Sequence, residues 1–345
     1  MRAVRFEAFG GPLAVQDVPP PVAGARGAVL AVEASGLCRS DVHAWAGHDA
    51  SVRLPHVPGH ELVGRVVSVG SQVAAFGVGQ RVTAPFVCAC GRCPECASGN
   101  GQVCRNQTQP GFTHDGSFAE LVRVEEADEN LVAVPEDVDA GAAALLGCRF
   151  ATAYRGLVLL ARVRAGEAVL VVGCGGVGLS AVMVAVALGA RVVAVDVDAA
   201  ALQRAASLGA AATIDSSSTA PEELDAALRQ VHPDGVQVSV EALGRAETID
   251  LALRSLAARG RHVQIGLVPA EPVVRVSRVV SHELVLLGVH GMSARDYPGL
   301  VALVASGRLR PQDLVGTWIG LDDVPAAMAA TAQGRSPAGV TMIRP

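Results

Sequence analysis

The chain contains no lysine; all 28 of its basic residues are arginine. That absence excludes Schiff-base chemistry, attachment of pyridoxal phosphate and a phosphate-binding Walker lysine together, because each needs an ε-amine. Aromatic residues are scarce, 3% of 345, so a hydrophobic fraction of 50% leaves the core to Ala, Val and Gly. An excess of positive charge is missing too. Charged residues make up 18% and the formal net charge is -5, which gives no electrostatic reason to expect nucleic acid or an anionic membrane as partner. The N-terminal Met-Arg-Ala-Val-Arg-Phe-Glu lacks the apolar run of a signal peptide, so the eight cysteines are expected in a reducing cytoplasm. Residues 168–190 carry no charge and are long enough to cross a bilayer. Yet glycines interrupt them, the apolar pattern changes there from strand-like to helix-like, and a Val-rich strand follows. Buried strand, tight turn and buried helix is the expectation.

What is present is more specific. Cys90, Cys93, Cys96 and Cys104 stand in one run with gaps of two, two and seven residues. That density suits a closed tetrahedral zinc site, where four thiolates converge at about 2.3 Å from the metal. Disulfides fit badly, since neighbours three apart are awkward to bridge. A redox Cys-x-x-Cys pair does not usually come with two further cysteines in register. Cys88, close by, reads as a free thiol. Three other residues are dispersed: Cys38 in Cys-Arg-Ser-Asp-Val-His, His60 in Gly-His-Glu, and Cys148 in Gly-Cys-Arg-Phe-Ala-Thr. Each alone reads as a buried thiol or a surface imidazole. Together they offer two thiolates and an imidazole with a fourth place left for water or substrate, the way catalytic zinc is held. Nothing in the spacing requires the three segments to meet.

A length of 345 residues exceeds one typical core, so two domains are expected. To about residue 145 the chain reads as short β segments, 28–34, 64–70 and 80–84 among them, in a folded-over antiparallel or barrel-like domain. Strand candidates 169–172, 192–196, 213–215, 236–240, 262–265 and 284–289 then alternate with helix candidates 176–188, 199–208, 221–231 and 246–257. That alternation predicts a doubly wound parallel sheet. The tail holds two helices expected to be amphipathic, 297–306 and 324–333, and a strand, 340–343, expected to return to the first domain. The boundaries are 1–149, with a metal lobe at 88–106, then 150–291 and 292–345. Gly173-Cys174-Gly175-Gly176-Val177-Gly178 follows one predicted strand and opens a predicted helix, with Asp196 ending the next strand. The glycines allow the turn, the approach of a pyrophosphate and close helix packing. A carboxylate at Asp196 would accept from a ribose 2′-OH and repel a 2′-phosphate, which favours NAD over NADP. Asp196 as a plain strand-end or N-cap acid is the alternative.

In these motifs and their order, over nearly its whole length, the chain resembles the zinc-dependent medium-chain alcohol dehydrogenase family. The resemblance implies an α/β protein: a GroES-like, mainly β catalytic domain plus a Rossmann doubly wound parallel sheet. It implies two zinc ions per chain, a structural one on the four-cysteine lobe and a catalytic one on Cys38, His60 and Cys148. Glu61 would be an occasional or second-shell ligand, and Asp41 would orient His60. Zinc would lower the pKa of a bound alcohol. Ser40 would take the hydroxyl proton and pass it through the nicotinamide ribose to His43, while hydride moves to the nicotinamide. Arg39 resembles a pyrophosphate-binding arginine, Thr152 a residue packed on the nicotinamide, and Phe86 a residue of the substrate channel. Two positions depart from the family. Val340, after Ser336-Pro337-Ala338-Gly339, stands where many relatives carry a second phosphate-binding arginine, and Ala201 where a cation often flanks the adenosine. Both bear on cofactor affinity. The expectation is an NAD-dependent alcohol dehydrogenase for primary or secondary alcohols and the matching aldehydes or ketones. It would be a cytoplasmic homo-oligomer, a tetramer rather than a dimer. A polyol or sugar dehydrogenase is the alternative within the family, although those relatives often use a carboxylate as third ligand. A zinc- and NAD-binding protein without turnover is the alternative outside it, opposed by the intact set Cys38, Ser40, His43 and His60.

Overall fold

Branched side chains pack well on a pleated surface and are stiff in a helix, so the Val-rich runs become strands. The first part of the chain forms β1 (Arg2–Phe6), β2 (Leu13–Asp17), β3 (Ala28–Gly36), β4 (Glu61–Val69), β5 (Arg81–Thr83), β6 (Leu121–Val124) and β7 (Val132–Ala133). The middle forms β8 (Ala168–Val172), β9 (Arg191–Asp196), β10 (Ala212–Asp215), β11 (Val236–Glu241), β12 (Leu256–Gln264) and β13 (Val285–Gly288). The tail adds β14 (Val315–Gly320) and β15 (Val340–Arg344). The computed structural model describes residues 1–268, 271–335 and 339–345. Ser336, Pro337 and Ala338, part of the stretch in which a second phosphate-binding arginine is missing, lie outside the described residues. Two units result, Met1–Ala151 with Gly291–Pro345, and Thr152–His290.

The first unit is built on a sheet in the order β14-β15-β3-β4-β5-β7, with β6 also paired to β3. Two register shifts between β3 and β4 bend this ladder, as bulges do. Leu30, Leu62, Val66, Val82 and Val122 pack on one side of it. Val4, Leu37, Val57, Phe118, Met328 and Ile343 form a second cluster. The tail joins this sheet, since β15 runs antiparallel to β3 with Met342 opposite Gly36 and Ile343 opposite Ser35. One register pair positions the site: Gly36, the last residue of β3, lies opposite Glu61, the first of β4. The segments just beyond, carrying Cys38 and His60, are therefore neighbours.

A helical run, Ala140–Leu160, is not marked by the sequence pattern, because a segment apolar on nearly every face has no period. It starts at Asp139, whose side chain accepts from the Ala142 N–H. It contains two π-turns, Leu146–Phe150 and Arg155–Leu160. It is long and apolar enough to cross a membrane, yet 72% of its most apolar stretch is buried inside the protein, as in a core helix. The division between units falls inside this run, after Ala151, two residues beyond the expected boundary at 149.

In the second unit the strand order is β10-β9-β8-β11-β12-β13, every pair parallel. Helices Gly176–Ala187, Ala199–Ser207, Pro221–Val231 and Ala246–Arg254 connect successive strands. The order reverses beside β8, which places a switch point at the end of that strand. A short helix, Val276–Ser281, lies between β12 and β13 and has no counterpart among the sequence candidates. The two tail helices, Tyr297–Ala305 and Val324–Ala332, correct the expectation of amphipathicity. Each buries one side, through Tyr297 and Leu300 or Val324 and Met328. The outward positions, such as Pro298, Gly299, Ala302 and Ala326, are not charged either.

Candidate functional site

The four lobe sulfurs lie within 4.8 Å of one another. Cys93 Sγ is 3.3 Å from Cys96 Sγ and 3.6 Å from Cys104 Sγ, far beyond a sulfur–sulfur bond of about 2.05 Å. Among the described residues, which include all eight cysteines, no disulfide forms. The local cause is turn chemistry: Gly91 and Gly99 take positive φ on either side of a one-turn helix, Pro94–Ala97, that opens on proline. The backbone N–H groups of Cys90 and Asn106 donate to Cys104 Sγ at 3.4 and 3.3 Å. The Arg92 N–H, followed by neighbouring thiols, draws the Cys90 thiol down to about 6 against burial, whereas burial pushes Cys96 up to about 12. Clustered thiols that share protons in this way suit a divalent cation that displaces them. Cys88 is buried outside this group, its thiol raised to about 12 by burial, and it donates to the Pro85 carbonyl.

The second site is built across the β3–β4 register. Cys38 caps a helix, Arg39–Trp45, and its N–H donates to Asp41 Oδ2 at 2.9 Å. Asp41 Oδ1 accepts from the Gly59 N–H at 3.1 Å and from His60 Nδ1 at 2.8 Å. A carboxylate can only accept, so Nδ1 keeps its proton, and a cation that displaces the second ring proton finds its lone pair at Nε2. That Nε2 is buried and, among the described residues, has no hydrogen-bond partner. Burial works against a charged His60, but Asp41 overrides it and holds the imidazole well above its ordinary range. Cys38 and Cys148 share a hydrogen bond that holds Cys38 well below the ordinary thiol range and, together with burial, raises Cys148. His60 adds to the lowering at Cys38. An orphaned imidazole lone pair beside two thiols sharing a proton fits a borderline-soft divalent cation such as zinc.

Glu61 also reaches this place: its carboxylate lies within 4.8 Å of the His60 and Cys148 donor atoms. Arg149 occupies it, however. The Arg149 Nε is 2.8 and 2.9 Å from the two Glu61 oxygens, and Nη2 is 2.6 Å from Oε2. Sequence reading gave Arg149 no role. The available signal was a cation directly after one donor and an anion directly after another.

Ser40 lies half-buried in the first turn of the Arg39–Trp45 helix, and His43 is exposed one turn on. Burial, then His48 and Arg39, hold His43 below its ordinary value. Two aromatic rings flank His60, Phe86 at 6.1 Å and Phe112 at 5.1 Å between centroids. Phe112, one of only seven phenylalanines, was not singled out by sequence. Gly291, at positive φ, lets Phe86 approach: a Cβ there would sit 2.8 Å from Phe86 Cε1.

The cofactor residues Thr152, Gly173, Gly175, Gly176, Val177, Gly178 and Asp196 all lie in the second unit, whereas Arg39 lies in the first. Gly173 ends β8 at φ 93°, and a Cβ on Gly178 would fall 1.7 Å from the Gly173 carbonyl oxygen, so both positions demand glycine. Gly175 is different. A Cβ there would meet nothing within 4 Å, which leaves open space before the uncapped N-terminus of the Gly176–Ala187 helix. Such an end suits a phosphate. Asp196 Oδ2 accepts from the Cys174 N–H at 2.5 Å, and Oδ1 from the N–H groups of Val197 and Asp198. Asp196 therefore ties the glycine loop to the end of β9, a local duty outside the sequence reading.

Two family models match the chain: the alcohol dehydrogenase GroES-like domain over residues 24–136 and the zinc-binding dehydrogenase domain over residues 176–306. An alcohol dehydrogenase of Moraxella sp. (strain TAE123) is 33% identical over 314 residues, 90% of each chain. An L-threonine 3-dehydrogenase of Chromobacterium violaceum is 29% identical over 330 residues, 94% of each. Among solved structures, the alcohol dehydrogenase TADH from Thermus sp. ATN1 has a TM-score of 0.89 and 32% identity, covering 100% of this chain and 99% of its own. With both halves of the chain accounted for, the protein belongs to the zinc-dependent medium-chain dehydrogenase family and is an oxidoreductase of that kind.

Proposed function

We propose that the protein is an NAD-dependent alcohol dehydrogenase that interconverts primary or secondary alcohols with aldehydes or ketones. The observation that carries this reading is the His60 Nε2, without a hydrogen-bond partner among the described residues, beside the Cys38 and Cys148 thiols, with the adjacent Glu61 held by Arg149. Zinc on those three residues would act as a Lewis acid toward the substrate oxygen, and NAD would accept hydride. Asp41 keeps the His60 lone pair aimed at the ion. Ser40 takes the proton of the substrate hydroxyl. His43, neutral near pH 7 because its pKa is lowered, relays the proton to solvent. Phe86 and Phe112 give the substrate apolar walls. The Gly173–Gly178 loop and Arg39 bind the pyrophosphate, Asp196 reads the ribose and Thr152 supports the nicotinamide.

A second zinc belongs to the four-cysteine lobe. The thiol-rich chain suits a cytoplasmic protein. A homo-oligomer is supported by β13, a sheet-edge strand whose Val285 and Leu286 are 45% and 44% exposed; a tetramer is our preferred state. The threonine dehydrogenase relative favours one second reading, oxidation of a 3-hydroxy amino acid, and polyols remain a third substrate class. A panel of alcohols, polyols and threonine read by NADH absorbance tests the proposal. Turnover of simple alcohols is the expected result, and threonine outpacing them would establish the second reading. No turnover of any of them by protein carrying about two zinc ions per chain would overturn dehydrogenase function. Asp196→Ala should relax discrimination against NADP at least about tenfold, the loss of one ribose hydrogen bond; an unchanged ratio removes Asp196 from the ribose.

A further inference from the structure

A single arginine follows one donor of the Cys38–His60–Cys148 site, and its guanidinium touches the chain neighbours of the other two. Arg149 follows Cys148, Glu61 follows His60 and Leu37 precedes Cys38. Arg149 Nη2 donates to the Leu37 carbonyl at 3.1 Å and to Glu61 Oε2 at 2.6 Å. Its Nε reaches both Glu61 oxygens, and its backbone N–H donates to Glu61 Oε1 at 3.1 Å. Arg149 is 5% exposed and Glu61 fully buried. A buried ion pair is weak evidence for stability, because desolvation offsets most of its attraction. Its geometry points to position instead. Carboxylates are good zinc ligands, and Glu61 is within reach of the same place as His60 and Cys148. A fourth protein donor there would shut out substrate. Gly36 completes the arrangement: a Cβ on it would fall 2.5 Å from Glu61 Oε2, so only glycine leaves room for the carboxylate where Arg149 holds it.

We propose that Arg149 is the positioning residue of this centre. It holds Glu61 off the ion, so that the fourth coordination place stays open. This rests on the three-donor zinc reading and deepens it by stating where Glu61 goes.

Cobalt(II) in place of zinc tests it without reference to turnover. Imidazole added to the cobalt protein changes the visible spectrum only where a coordination place is open, so the closed four-cysteine lobe stays silent. The wild type should respond and Cys38→Ser should not; an equal response in both would sink the zinc reading itself, separately from Arg149. In Arg149→Met, imidazole should bind about 10- to 100-fold more weakly, the usual cost of losing an outer-shell partner. The cobalt bands should also shift as Glu61 enters. Arg149→Met combined with Glu61→Leu, which removes the competing donor, should restore wild-type imidazole affinity. Unchanged affinity and spectrum in Arg149→Met overturn the proposal, and so does a weakening that the double variant fails to reverse. If Arg149→Met does not fold, Arg149→Lys keeps the buried cation without its fork. A smaller weakening is expected there, and wild-type affinity in that variant overturns the proposal equally.

Discussion

The four-cysteine lobe and the Cys38–His60–Cys148 centre gather similar donors over opposite chain distances. The lobe takes all four from residues 90–104, whereas the centre draws on positions 38, 60 and 148. Closing a short loop costs little entropy, and the cost grows only slowly with length. The lobe therefore needs two turns and one helical turn, while the centre needs a sheet register, a helix and a buried ion pair. The lobe offers four thiols and no open place. The centre brings the donor atoms of His60, Glu61 and Cys148 within 4.8 Å of one another, with Glu61 paired to Arg149, and Cys38 shares a hydrogen bond with Cys148. Local assembly suits a staple; assembly from distant segments allows a place to be kept open.

The comparison breaks most sharply under ligand substitution. Cys38→Ser should abolish NADH production while the lobe keeps its metal and the fold its melting temperature. Cys93→Ser should instead lower Tm by about 4 °C, the loss of roughly 3 kcal/mol in a protein of this size, and spare part of the activity. Equal activity losses at unchanged melting would show that the two sites do not divide the work. Asp41→Asn comes next. By loosening His60 it should weaken metal binding at the centre about 10- to 100-fold against a competing chelator, with the lobe unaffected; parallel loss from both sites would contradict their independence.

A smaller effect is expected at Tyr297. This buried residue of the tail donates its hydroxyl to the carbonyls of Leu146 and Gly147 at 3.1 and 3.4 Å, in the π-turn that presents Cys148. Tyr297→Phe removes both bonds, although the Phe86 N–H still reaches the Gly147 carbonyl at 2.9 Å, and should cost about 1 kcal/mol in denaturant unfolding. A kcat reduction should accompany it and lobe metal should be retained; an unchanged unfolding midpoint would remove Tyr297 from the support of that turn. His43 gives the smallest change. Its folded pKa lies below the ordinary 6.5, so it gains a proton only below that pH, and the relay should fail as pH falls through the lowered value. His43→Gln should slow turnover about tenfold near neutrality and erase that acid limb, less than the roughly 10²–10⁴ of a direct proton transfer because His43 stands at the solvent end of the relay. Cys93→Ser should leave the limb in place, and an acid limb that survives in His43→Gln would assign it to another group.

Legibility follows the same division. Spacing alone names Cys90, Cys93, Cys96 and Cys104, and the glycine loop is equally local, since Gly173 is required by its positive φ and Gly178 by the Gly173 carbonyl oxygen beside it. The six parallel strands are readable because buried Val-rich runs alternate with helical periods. The Ala140–Leu160 run is not, because it lacks a polar face to give it a period. Arg149 was invisible for another reason: beside Cys148 it looks like any arginine, and its partners lie at positions 37 and 61.

By itself, then, the sequence determined what neighbouring residues can settle among themselves: the four-cysteine lobe, the glycine loop, and most strands and helices, while the three dispersed donors we propose came from a resemblance. Only the tertiary structure decided that Gly36 faces Glu61, that Asp41 turns the His60 lone pair inward, and that a guanidinium restrains the nearby carboxylate. The reason is physical. Register and buried charge pairing are choices between segments far apart in the chain, and no local propensity encodes which segment meets which.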